Sequence, residues 1–138
     1  MGQQQLLLIV LGVIIVGIAV VVGINVFTAS SSQANRDAVI ADLTTIASMA
    51  QQYYRKPVAL SGGGNTFTGF RMPALSSTPA DNTPTATKTP NGSYTVTVAA
   101  QSVTLVGVGN EKGNDRTNPV RVTMVVAPDK ITSTTINN

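Results

Sequence analysis

Six carboxylates are the only side chains in this 138-residue chain that suit general-base work or hard oxygen ligation: Asp37, Asp42, Asp81, Glu111, Asp115 and Asp129. The chain has no Cys, no His and no Trp. Imidazole bases, thiol nucleophiles, disulfides and Cys/His metal sites are therefore excluded. Glu111 and Asp115 share the segment Gly109 to Pro119 with Lys112 and Arg116. A calcium loop needs more oxygen ligands at closer alternation than GNEKGNDRTNP offers, so the segment reads as a solvated loop whose charges compensate one another. The glycines Gly62 to Gly64 lack a following Gly-Lys-Ser/Thr, which argues against a phosphate cradle and for a flexible turn. These residues predict no enzyme, no catalytic residue, no metal and no cofactor.

Hydroxyl and amide groups offer a second chemistry, the attachment of sugars. Asn91-Gly92-Ser93 fits the N-linked acceptor pattern, although Asn-Gly is equally a hairpin-turn dipeptide. The Thr/Ser/Pro-rich stretch 72–90 resembles segments that carry O-linked sugars, with Thr78, Thr83, Thr85, Thr87 and Thr89 as acceptor candidates. Charge adds little. Nine basic and six acidic residues leave +3, the basic residues are scattered, and no stripe for nucleic acid emerges.

The element that must organise the rest is the run Leu6 to Phe27, LLLIVLGVIIVGIAVVVGINVF, with no charge and no proline over twenty-two residues. As a helix it would span about 33 Å, enough for a hydrocarbon core of about 30 Å. It is apolar around its whole circumference, so it must be buried in lipid or among copies of itself. The surface in question is carried by Leu6, Leu7, Leu8, Ile9, Val10, Leu11, Val13, Ile14, Ile15, Val16, Ile18, Val20, Val21, Val22, Ile24, Val26 and Phe27. Gly12, Gly17 and Gly23 fall at intervals of five and six, not at the spacing of a strict helix-dimer motif. They read as ordinary membrane-helix glycines, or as places for close helix approach or local loss of helical order near Gly23. The leading MGQQQ has no basic residue to set insertion direction, and no small-residue cleavage site follows Phe27, so the segment is expected to be retained.

A second pattern follows. Val39, Leu43, Ile46, Ala50 and Tyr53 recur at spacings of four, three, four and three, one stripe of an amphipathic helix over 34–55. No Gly or Pro interrupts from Ile24 to Lys56, which predicts one helix from about Gln3 to Arg55, roughly 80 Å long and ended by Pro57. After it the period changes to two. Thr66 to Phe70 is a short strand candidate, and Arg71 to Pro90 an irregular loop. Ser93 to Ala100, Val103 to Val108 and Val120 to Val126 read as strands, with Ile131 to Ile136 as a frayed last one. The expected fold is α+β: a long N-terminal helix, domain 1–56, packed through the stripe on a small antiparallel sheet of three or four strands, domain 57–138.

This arrangement resembles the type IV pilin superfamily of bacterial and archaeal filament subunits. The resemblance is carried by the uncharged run Leu6 to Phe27, by its continuation Asp42 to Tyr54 (DLTTIASMAQQYY), and by a β head after a glycine-rich connection. It covers the whole chain in architecture and about residues 1–55 in pattern. It implies a homo-oligomeric helical filament whose N-terminal helices form the core and whose heads form the surface. It also implies a membrane-inserted precursor stage, a leader peptidase and a dedicated assembly machine. Three features depart from the bacterial pattern. Gln5 stands where many such pilins carry a glutamate, the apolar run has no proline, and there is no disulfide. Met1 is expected as the first residue of the assembled subunit. Gln3, Gln4 and Gln5 are candidates for polar contacts at the helix start, since buried amides must find partners. The competing expectation is a single-pass anchor bearing a β domain that binds something else.

Overall fold

The structure is a computed structural model that describes residues 2–137; Met1, the expected first residue of the subunit, lies outside the described residues. Its architecture is α+β, as the residue pattern predicts. Helix α1 runs Gly2–Arg55, and a five-stranded sheet follows: β1 Ala86–Thr89, β2 Gly92–Val98, β3 Val103–Lys112, β4 Pro119–Val126 and β5 Ile131–Asn137. Each strand pairs antiparallel with the next, in the order β1-β2-β3-β4-β5. The helix is unbroken through Gly23 to Asn25, where Thr28 donates its hydroxyl to the Ile24 carbonyl at 2.9 Å.

Two compact units make up the chain, one ending at Ser31 and the other starting at Ser32. The second unit therefore takes residues 32–55 of the helix together with the strands. The reason is packing: Val39, Leu43, Ile46 and Ala50 are fully buried with strand residues such as Tyr94, Leu105 and Val122. Alternation along β2, β3 and β4 supplies the other side of that core. In β4, Val120, Val122, Met124 and Val126 point inward while Arg121, Thr123 and Val125 point out.

The segment Thr66 to Phe70 is not a strand. Phe70 donates its amide to the Phe67 carbonyl, Gly69 takes φ +87°, and both phenylalanines reach the core from one turn. Two aromatic residues three apart cannot share one side of a strand, but a turn delivers both. Tyr53 and Tyr54 meet this turn. The Tyr54 and Phe67 rings lie 4.8 Å apart, and the Tyr53 and Phe70 rings 5.6 Å apart, edge-on. Tyr53, one of the residues expected to pack between helix and sheet, is half-buried against the core beside this turn and donates its hydroxyl to the Thr68 carbonyl at 3.0 Å.

The glycine connection is likewise more than a flexible turn. The amides of Gly63, Gly64 and Asn65 donate to the carbonyls of Tyr53, Lys56 and Tyr54, which the end of α1 leaves without helical partners. A side chain at Gly62 would collide with the Lys56 backbone, and one at Gly63 with the Thr66 carbonyl. These glycines allow the close approach that caps the helix.

Two further differences concern the sheet. The expected irregular loop contains β1 and a 3₁₀ turn, Pro79–Asp81, so the sheet has five strands. β3 continues to Lys112, four residues past the expected end, because the helix holds its extension. Ser32 donates to the Lys112 carbonyl at 2.5 Å, and Asn35 accepts the Glu111 amide at 3.3 Å.

Candidate functional site

Among the described residues, the first unit is helix throughout, from Gly2 to Ser31. Every large apolar side chain from Leu6 to Phe27 is between 52% and 75% exposed. This is the opposite of the stripe in the second unit, where Val39, Leu43, Ile46 and Ala50 have no exposure at all. Each large apolar side chain that leaves water contributes about 1.5–3 kcal/mol, so seventeen of them make this surface the strongest drive to association in the molecule. Monomeric soluble proteins rarely expose a contiguous apolar surface of this kind. α1 is also the one helix, among the described residues, long and apolar enough to cross a membrane. Gln3, Gln4 and Gln5 lie in the first turns of α1 and are exposed.

Polar chemistry gathers elsewhere, around Asp42. One oxygen of its carboxylate accepts from the Tyr94 hydroxyl at 2.6 Å, the Thr89 hydroxyl at 2.8 Å and the Asn91 amide nitrogen at 3.0 Å. Asn35 adds a bond to the Asn91 carbonyl at 2.9 Å. Two residues of α1 thus hold the β1–β2 hairpin at its corner. Burial disfavours the charged carboxylate, but the hydrogen bonds from Tyr94, Asn91 and Thr89 outweigh it and hold Asp42 below the usual carboxylate range. Burial, and then the bond to Asp42, push the Tyr94 hydroxyl well above its ordinary value.

A lowered carboxyl contributes stability above its unfolded value of about 3.9 and loses it as pH falls through the folded one. A raised phenol contributes stability below about pH 10 and loses it as pH rises further. Thermal stability of the chain is expected to weaken at both ends, below about pH 4 and above about pH 10. Asp42→Asn should cost about 1–2 kcal/mol at neutral pH and flatten the acid limb. An unchanged acid limb in that variant would remove Asp42 from the account.

Several of the sugar-acceptor candidates lie in or near this cluster. The Asn91 side-chain nitrogen, where an N-linked sugar would attach, already donates to Asp42. Thr89 is half-buried on the same carboxylate. Thr87 is buried, donates to Asn82 at 2.7 Å and accepts the Leu75 amide at 3.1 Å. Thr78, Thr83 and Thr85 are exposed. Asp115 accepts the amides of Thr117 and Asn118 and the Asn118 side chain, all within 3.0 Å, so its oxygens cap their own turn. Those bonds, led by the one from the Asn118 side chain, lower its carboxyl.

The apolar run is legible in the sequence because composition alone reveals it. The Asp42 cluster is not, since Asp42 lies off the apolar stripe and its partners lie 47 to 52 residues away. No family model, no curated protein and no solved structure matches the chain.

Proposed function

We propose that this chain is the structural subunit of an extracellular, type IV pilus-like helical filament. Its N-terminal helices would form the core and its β heads the surface. The observation that carries this reading is the exposed surface Leu6 to Phe27 on a helix that also supplies core residues to the head. A helix that ends in a well-packed head suits a polymer in which heads are displayed from a common core. Association of identical apolar helices needs no catalytic group. In this reading the same helix rests in the cytoplasmic membrane before assembly, then exchanges lipid contacts for contacts with its copies. Gln5, a neutral amide, avoids the penalty of an unpaired carboxylate in that environment.

The competing reading is a membrane-anchored β domain, and the length and composition of α1 suit it too. Negative-stain electron microscopy of material sheared from expressing cells separates the two. Thin filaments containing this chain support the subunit. The chain confined to the membrane fraction, with no filaments, favours the anchor.

A further inference from the structure

We propose that the free edge of β5 pairs antiparallel with β5 of a second copy of this chain, joining two heads into one continuous sheet about a two-fold axis. The contact lies in the second unit and does not depend on how the apolar helix is buried.

The two edges of the sheet are treated differently. β1 is four residues long, carries Lys88 and is flanked by Pro84 and Pro90. Thr83 bridges to the backbone of Ala86, and the flanking turn is tied to β1 by the Thr87 hydroxyl, which accepts the Leu75 amide, and by Lys88, which pairs with Asp81 at 2.8 Å. These are the usual protections of an edge. β5 has almost none of them. ITSTTIN is seven residues with no charge and no proline, five of them β-branched, and every one is exposed. One side of its backbone pairs with β4, and among the described residues no strand pairs with the other.

The residue pattern selects a second copy as the occupant. A two-fold contact must match itself, residue i against j and j against i. An axis through Thr134 sets Thr134 opposite Thr134 and Ser133 opposite Thr135, hydroxyl against hydroxyl. Ile131 and Ile136 are an odd number of residues apart, which in a regular strand would put them on opposite faces. The register shift beside Val125 and Val126 corrects this, so that Ile131 pairs with Val126 and Ile136 with Val122, both on the core side. Yet Ile131 and Ile136 remain 40% and 45% exposed. In the two-fold pair Ile131 of each copy falls beside Ile136 of the other, on the same face, and the two cores become continuous. With no charge in β5, no like charges oppose one another.

The chain has no cysteine, so a single introduced thiol reports its own neighbours. Full-length Thr134→Cys in detergent micelles is expected to give a disulfide-linked dimer on mild oxidation, since directly opposed Cβ atoms lie about 4.5–5.5 Å apart. Thr97→Cys, also exposed but on β2, should stay monomeric. Thr134→Lys and Thr134→Glu should each lose the dimer alone and regain it when mixed. No dimer from Thr134→Cys, or equal dimer from both cysteine positions, would overturn the proposal. So would a Thr134→Lys chain that still pairs with itself. Unchanged circular dichroism in each variant confirms that the head is folded. None of these readouts requires a filament, so failure here is distinct from failure of the subunit reading.

Discussion

Leu11→Asp or Ile15→Asp is expected to abolish filaments while leaving the head intact. Both side chains are more than half exposed in the single chain, so neither supports the fold of the head. A carboxylate at the centre of an apolar helix costs about 3 kcal/mol in a membrane-like environment, a factor of more than about a hundred in an association constant. In a helical polymer every subunit carries the substitution, so the penalty recurs at every addition. The chain should still accumulate, with an unchanged thermal midpoint for the head. Normal filament yield from either variant would mean that this surface is not what holds subunits together.

The second large effect comes from removing the surface altogether. A fragment beginning at Ser30 retains Ser32, Asn35, Asp42 and the buried stripe Val39, Leu43, Ile46 and Ala50, all within the second compact unit. It is expected to be soluble without detergent and to form no filaments, its largest species being the closed pair through β5. Sedimentation checks this directly. Open-ended polymers from this fragment would place the assembly interface in the head.

How much of this is readable from sequence depends on whether the signal is local. The helix and its end at Pro57 are legible because period, composition and a proline all lie within or beside the element. The cores of β2, β3 and β4 are legible because alternation with β-branched residues is local too. β1 is hidden: ATKT is short, sits among prolines and owes its strand to pairing with β2. Residues 109–112 read as a polar loop because Asn110, Glu111 and Lys112 favour solvent, yet Ser32 and Asn35 of the helix hold them in β3. Thr66 to Phe70 has the Thr and Phe composition of a strand but folds as a turn, because the positive φ of Gly69 lets Phe67 and Phe70 converge on the core. For the candidate site the same rule applies. The apolar run can be found by composition, whereas the burial of Thr87 and the engagement of Asn91 depend on residues distant in the chain or on the packing of the whole head.

The central claim is that Leu6 to Phe27 is finally buried against identical neighbours. A single cysteine introduced at Ile15 tests it most directly, because the chain has no other thiol. Ile15→Cys subunits, recovered in material sheared from the cell surface, are expected to become linked to one another on oxidation, while the β head stays folded. A chain that remains in the membrane fraction as a monomer, with the introduced thiol unlinked and accessible only from lipid, would contradict the account and leave the membrane-anchored β domain as its reading.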